Sequence, residues 1–326
     1  MRYTDRIYGS VEITEPVALD IIATPEFQRL KDVDQAGYSE PHFPGSKHSR
    51  FEHSLGVYEL LRRFGAPLAE QVAGLIHDVS HSAFSHTIDY IMHDGSGRYQ
   101  TYQDEILADY VQHSRIAAIL EKYGFPLAFI MDDANFPLKE TELPDLCADR
   151  IDYSLRGLIV YGVASTAAVS HILTKLQTAN GSWVFADVES ARQYAQLFKE
   201  LNDTYYCDTR TAHMYKTASD YIRRALDYGY IGRDDLYTTD TAVLQKIKPH
   251  HAHDLILQKL WLRMNNLTRW ETGDEDGAPV YCKSRCVDPL CRHEGVLRRL
   301  SDIQSEWKCI VAETLQPRRH FLKFYD

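Results

Sequence analysis

The chain has 326 residues, 44% of them hydrophobic and 25% charged, with 17 Gly and 12 Pro; this ordinary globular composition excludes collagenous, low-complexity and broadly disordered readings. Asp plus Glu outnumber Lys plus Arg by 46 to 36, for a net charge of -10. That balance argues against an extended nucleic-acid partner but leaves open a small anion held by a local cation cluster and a metal. The apolar runs, such as Leu127 to Met131, fall well short of the roughly 18 residues of a membrane span. The charged start Met1-Arg2-Tyr3-Thr4-Asp5-Arg6 carries no apolar signal segment, so a cytoplasmic chain with no membrane partner is expected.

Along the chain, Thr24-Pro25-Glu26-Phe27 reads as a helix start, with Thr as N-cap, Pro in the first helical position and acid in the first turn. Gly37 to Ser49, holding Pro41, Pro44 and Gly45, is a loop. Apolar residues then recur with helical spacing from Phe51 to Leu61, and over Leu68 to Val79, Asp104 to Tyr123 and Leu146 to Tyr161. Gly181 to Phe185 reads as a turn and short strand, followed by a helix with Ala191, Tyr194, Ala195, Phe198 and Leu201 on one face. Another helix covers Thr211 to Tyr228, and the polar loop Glu271 to Gly277 precedes an alternating, strand-like segment. No fixed-period repeat or flexible linker divides the chain. The fold expected is mostly α, with a helical core over residues 1–170 and a smaller α+β portion, 171–326, packed on it and completing the cleft.

Six cysteines in a chain of this length do not make a disulfide scaffold, and reduced thiols are expected. Cys282-x3-Cys286-x4-Cys291-x-His293 offers four ligands to a structural zinc, though without a C-x2-C half-site. The preferred reading is a strand around Val280 to Val287 carrying small buried thiols.

Chemistry concentrates elsewhere. His53 lies within Arg50-Phe51-Glu52-His53-Ser54-Leu55-Gly56, His77-Asp78 ends an apolar helix, and Asp149 opens Asp149-Arg150-Ile151-Asp152-Tyr153. Two neutral imidazoles with two carboxylates make a mixed nitrogen and oxygen site for a divalent ion such as Mn, Fe, Co, Ni or Zn. Adjacent His77 and Asp78 diverge by about 100° on a helix, so an ion meets both only near the helix end. On the Asp149 helix, Asp149, Asp152, Tyr153 and Arg156 follow one polar stripe.

The order His, His-Asp, Asp resembles the HD-domain metal-dependent phosphohydrolases, and most closely their deoxynucleoside triphosphate triphosphohydrolase branch. The resemblance is carried by Thr24-Pro25-x-Phe27-Gln28-Arg29-Leu30, Gln35, Phe43-Pro44-Gly45, the His53 segment, Gly74-Leu75-Ile76-His77-Asp78 and Phe84-Ser85-His86. It is dense over residues 5–160 and looser beyond. It implies an HD-domain helical core with His53, His77, Asp78 and Asp149 holding one divalent metal, Mg included among the candidates. It further implies a His86 and Asp89 acid dyad, where the carboxylate orients an imidazole that protonates the leaving oxygen. His81 and Arg50 correspond to phosphate contacts; Arg150, Tyr153 and Gln35 correspond to phosphate and sugar contacts. Arg210, His213, Tyr215 and Lys216 resemble a basic and aromatic substrate helix, a solvated basic face being the alternative. Kinship also implies a homo-oligomer.

Two positions depart from the branch. Its further histidine after the dyad falls where Tyr102-Gln103-Asp104-Glu105 stands, and its acid eight residues past the last ligand falls on Gly157, which is expected to leave only backbone there. The activity implied is hydrolysis of a nucleotide, in its sharpest form a deoxynucleoside triphosphate to nucleoside and triphosphate. A nucleoside monophosphatase or phosphodiesterase is the nearer alternative. A nucleotide-binding regulatory protein with weakened turnover is the alternative of another class.

Overall fold

The computed structural model describes residues 1–92 and 100–325. A hairpin, Arg2–Asp5 paired antiparallel with Gly9–Glu12, opens the chain. Pro25–Gln28 then forms one helical turn. Thr24 is its N-cap, its hydroxyl accepting from Phe27 N at 3.2 Å, and Pro25 stands in the first turn. The central element is the helix Arg50–Arg63, which packs on Leu68–Ile76 and on Ala148–Val160. The expected helix from Asp104 to Tyr123 is two, Tyr102–Gln112 and Arg115–Lys122. The break has a local cause: Ser114 adopts extended backbone and its hydroxyl caps the second helix at Ile116 N, and a serine gains more as a cap than inside a helix.

The later half supplies helices Val188–Leu201, Thr209–Asp227 and Leu255–Met264 and two small sheets. One sheet runs Leu176–Ala179, Ser182–Phe185, Leu290–His293, Val296–Arg299, with the middle pair parallel. In the other, Arg318–Phe324 lies between Trp270–Thr272 and Ala278–Cys282, antiparallel to both. The strand expected over Val280 to Val287 therefore ends at Cys282. Its register places Cys282 in a different apolar cluster from Cys286 and Cys291. One cluster runs from Ile7 through Leu155 to Trp307, so apolar side chains of the first helices and of the C-terminal portion share a core. Among the described residues no helix is long and apolar enough to cross a membrane.

Two buried histidines, His42 and His213, tie the 37–49 loop to this body, and a third, His48, is buried within the loop with its Nδ1 3.0 Å from Ser46 O. His42 Nε2 lies 3.2 Å from Met264 O and its Nδ1 3.4 Å from His213 Nδ1; the His213 ring stacks on Trp270 at 4.2 Å. Burial pushes His42 and His48 down to about 4 and His213 down to about 3. A depressed imidazole favours the folded state above its unfolded value near 6.5, and that stability is lost as pH falls toward the folded value. Urea midpoints are therefore expected to fall between pH 7 and 5. His213→Phe, which keeps the stack on Trp270, should remove about 1–2 kcal/mol of that fall. Equal slopes for the two proteins would contradict the assignment.

Candidate active site

Ser49 and Glu52 form a reciprocal capping box, each side chain accepting from the other's backbone N–H at 3.1–3.2 Å. This starts the Arg50–Arg63 helix one turn before His53. The Leu68–Ile76 helix ends with His77 as C-cap, so Asp78 is already beyond the regular turn and both can face one point. Asp149 sits in the first turn of Ala148–Val160.

The four converge. His53 Nε2 lies 2.8 Å from Asp149 Oδ1, 3.1 Å from His77 Nε2 and 3.7 Å from Asp78 Oδ2; His77 Nε2 lies 3.3 Å from Asp149 Oδ1 and 3.4 Å from Asp78 Oδ1. The other ring nitrogens fix the tautomers. His53 Nδ1 faces Asp152 Oδ1 at 2.8 Å and His77 Nδ1 faces Gly74 O at 2.8 Å, acceptors that hold the proton on Nδ1 in each neutral ring. Two Nε2 lone pairs then oppose each other across a gap that a cation fits. The potential agrees: burial lowers the His53 pKa, but Asp149, Asp152 and Asp78 outweigh it and lift the imidazole to about 9. Burial alone would raise Asp78, yet Arg50, His77 and His81 hold it well below the carboxylate range. His53, His77 and Asp149 bring donor atoms within 4.8 Å of one another, with Asp78 beside them, so the donor set suits a borderline divalent ion. A second trio, Glu140, Cys147 and Asp149, shares Asp149. There Cys147 Sγ caps Arg150 N, and the Arg150 guanidinium stands 3.5 Å from Glu140, which disfavours a cation.

A cavity of about 1050 Å³ opens over this cluster. His86 lines it, its Nδ1 3.3 Å from Asp89 Oδ2. Phe84 and Ser85 just before it both carry left-handed φ, 60° and 45°, a strained pair for residues with a Cβ. Asp240 Oδ1 accepting from Phe84 N at 2.7 Å, and Ser85 Oγ accepting from Arg50 Nε at 2.7 Å, hold them there. Arg50, His81, Gln35, Arg150, Tyr153 and Tyr215 also line the cavity. Arg50 is occupied by Asp78 at 2.6 Å and by Gln35 O at 3.0 Å, so it positions the Asp78 carboxylate. Arg210, His213 and Lys216 do not line the cavity. Thr211, Met214 and Tyr215 present one helical stripe to it; on either side, Arg210 and Lys216 are turned roughly a quarter turn or more away. Arg210 lies over Phe43, and Lys216 pairs with Asp220 at 2.6 Å.

Sequence reasoning missed Lys139, Lys283 and Arg285, cations that also line the cavity. Lys283 and Arg285 alternate along one extended segment, with Cys282, Ser284 and Cys286 buried between them. That period of two is a legible signal, but nothing in the sequence aims it at a site 130 residues upstream. Asp152, fully buried behind His53, was read only as part of a stripe. At the two departures, Asp104 lines the cavity with its side chain still open to solvent, and partial enclosure together with Glu140, Asp78 and Asp149 pushes its carboxyl up to about 6. Gly157 faces not bare backbone but the Tyr206 hydroxyl, 2.7 Å from where a Cβ would stand. No three of Cys282, Cys286, Cys291 and His293 bring donor atoms within 4.8 Å of one another: Cys282 ends a strand of one sheet, Cys291 and His293 share a strand of another, and Cys286 lies on neither.

Residues 50–156, which span all four converging side chains, match the HD domain. The Bacillus subtilis protein YdhJ is 33% identical over 258 residues, 78% of each chain. The chain belongs to the HD-domain metal-dependent phosphohydrolases. Within that family, the Cordyceps militaris metal-dependent phosphohydrolase cns2 is 31% identical over 234 residues, 70% of this chain and 67% of its own. The Gallus gallus deoxynucleoside triphosphate triphosphohydrolase SAMHD1 is 34% identical over 163 residues, 43% of this chain and 26% of its own. A crystal structure of a phosphohydrolase from Bacteroides thetaiotaomicron shares the fold of this HD-domain chain over its whole length, with a TM-score of 0.74 at 17% identity, covering 100% of this chain and 99% of that one.

Proposed function

We propose that this HD-domain hydrolase cleaves a nucleotide, in its sharpest form a deoxynucleoside triphosphate at the α-phosphorus to give deoxynucleoside and triphosphate. The observation that carries the reading is the join between the two opposed imidazoles and a cavity lined by Lys139, Arg150, Lys283 and Arg285. His53, His77, Asp78 and Asp149 are the residues that would hold one divalent metal. Bound there, the ion would withdraw charge from phosphoryl oxygens and lower the pKa of its water toward neutrality. Asp152 and Gly74 O orient the two rings. Arg50 and His81 hold Asp78 as a carboxylate. As water attacks phosphorus, the bond to the leaving oxygen breaks, and His86, steadied at Nδ1 by Asp89, would supply the proton from Nε2 in its imidazolium form, which burial disfavours and Asp89 supports.

A nucleoside monophosphate or phosphodiester is the second reading. Asp104 favours it, because a carboxyl in the cavity where the branch has an imidazole opposes a long polyphosphate. Incubating metal-loaded protein with ribo- and deoxynucleotides and identifying the phosphorus products separates the readings. Triphosphate release from deoxynucleotides supports the sharp form, inorganic phosphate from monophosphates or a phosphomonoester from cyclic and linear nucleotide diesters the second, and no product from any of them a regulatory binder. His86→Ala is expected to keep its metal while losing about 100-fold or more in rate, least on esters whose leaving group needs no proton. Uniform loss across leaving groups would show that His86 only positions the substrate.

A further inference from the structure

The turn that carries His86 is held by chain from outside residues 50–156. His86 follows Phe84 and Ser85, both with left-handed φ, and the three residues before it are each tied to a distant segment. Ala83 N donates to Leu236 O at 2.6 Å, Phe84 N to Asp240 Oδ1 at 2.7 Å, and the Ser85 hydroxyl to Asp34 O. Two successive left-handed residues that bear a Cβ are disfavoured wherever the chain is free to choose. The turn therefore keeps its shape because these partners impose it.

Among them Asp240 stands out. It lies in the first turn of the helix Asp240–Ile247, where an aspartate ordinarily faces the N–H groups of its own helix or water. Here Thr239 caps the helix, its hydroxyl accepting from Ala242 N at 3.2 Å, and the Asp240 side chain turns inward, only 5% of the residue remaining exposed. Both carboxyl oxygens accept from backbone elsewhere, Oδ1 from Phe84 N and Oδ2 from Asp34 N at 2.9 Å. One side chain thus joins two loops, the next residue of one being Gln35 and the other reaching His86 two residues on; Gln35 and His86 both line the cavity. Gly37 shows how closely these loops meet. Its φ is 115°, and a Cβ there would stand 3.2 Å from Thr87 Oγ1 and 3.3 Å from Phe84 O. Burying a carboxyl group is costly and a helix start does not require it; what it secures here is the registry of the two loops.

We infer that Asp240 is a positioning residue for hydrolysis: its two oxygens, on Phe84 N and Asp34 N, fix the turn that aims His86 into the cavity. The inference rests on the acid role proposed for His86 and deepens it, bringing into that site a residue of the C-terminal portion that touches neither metal ligands nor cavity.

The test measures kcat and KM on substrate pairs that share their phosphate part and differ in leaving group, an alkoxide that needs a proton against p-nitrophenolate, which does not. Asp240→Ala is expected to keep its metal, to keep KM within about threefold of wild type, and to lose about tenfold or more in kcat with the alkoxide against less than about threefold with p-nitrophenolate, since a displaced acid slows only the step that uses it. Adding Asp240→Ala to His86→Ala should cost less than about threefold, because two changes that act through one group do not add. Asp240→Asn, which keeps the shape and one acceptor oxygen, should recover part of the rate while still losing about threefold or more with the alkoxide; should Asp240→Ala not fold, Asp240→Asn is read by the same criteria. Wild-type kcat in the folded variant, or a loss that adds to that of His86→Ala, overturns the inference, and so does equal loss with both leaving groups where His86→Ala is selective. Failure of the acid reading shows separately, in His86→Ala alone, as equal loss with both leaving groups; whether the two changes add then still decides if Asp240 positions that residue.

Discussion

His77→Ala is expected to abolish metal retention and to lower hydrolysis at least a thousandfold while leaving the melting temperature within a few degrees of wild type. The ring is held by one carbonyl, Gly74 O, and otherwise faces the other proposed ligands. Removing it therefore takes away one of four donors competing with water and leaves no buried charge without a partner. Asp78→Ala makes a different prediction for the fold. Asp78 is the 2.6 Å partner of Arg50, and both are almost completely buried, so losing the carboxylate strands a guanidinium, an event that costs about 3–5 kcal/mol. Metal and activity should vanish in both variants, and only Asp78→Ala should also unfold early. Asp78→Asn, which keeps shape and one acceptor, should recover much of the stability but not the metal. Elemental analysis, circular dichroism and turnover on the three proteins decide the matter. Wild-type turnover by metal-free Asp78→Ala would sink the metal mechanism.

These residues were legible in the sequence because their order, His53, His77-Asp78, Asp149, carries a family resemblance, and because an apolar helix runs out at His77-Asp78 and a polar stripe begins at Asp149. Thr24 and its proline fixed a helix start in the same way. The signals fail where position depends on packing between distant segments. Periodicity identified Thr211 to Tyr228 as a helix, but choosing which stripe faces the cavity needs its neighbours, and so Arg210 and Lys216 turn out to face elsewhere while Met214 and Tyr215 line the wall. Lys283 and Arg285 reach the site because distant residues pin their segment, Asn202 Oδ1 accepting from Arg285 N at 2.7 Å and Gln100 Oε1 from Arg285 Nη2 at 2.8 Å. Gly157 reads as a loss in one dimension; the hydroxyl that fills its place comes from a residue 49 positions later. The preferred reading of Cys282, Cys286 and Cys291 as buried thiols agrees with their burial; closeness in sequence alone would have suggested a zinc site, yet Cys282 and Cys291 lie on strands of different sheets.

Gly56 joins the fold to the site, and Gly56→Ala is expected to cost about 3 kcal/mol or more of stability. A Cβ there would stand 2.0 Å from Arg156 Nη2 and 2.1 Å from Asp152 Oδ2. Neither atom can withdraw. Asp152 accepts from His53 Nδ1 at 2.8 Å, Arg156 Nε at 2.6 Å and Tyr8 Oη at 2.8 Å, and Arg156 Nη2 donates to Asp5 Oδ2 at 2.9 Å, all buried. One methyl group must therefore either separate the Arg50–Arg63 and Ala148–Val160 helices or break a buried charge network, and both are costly. Gly74 offers the control. Its added Cβ would meet Leu61 Cδ1 at 2.5 Å, the far end of a flexible side chain, so Gly74→Ala should cost about 1–2 kcal/mol. The consequence for chemistry separates them further. Displacing Asp152 frees the His53 ring, and loss of such an orienting carboxylate weakens metal affinity about 10–100-fold; Gly74→Ala leaves Asp152 alone and should bind metal within a few-fold of wild type. Urea denaturation with metal titration on both variants gives the answer. Gly56→Ala with stability within 1 kcal/mol of wild type (a bound about the size of an ordinary surface change) and unchanged metal affinity would show that the helices yield at this crossing and that Asp152 does not govern His53.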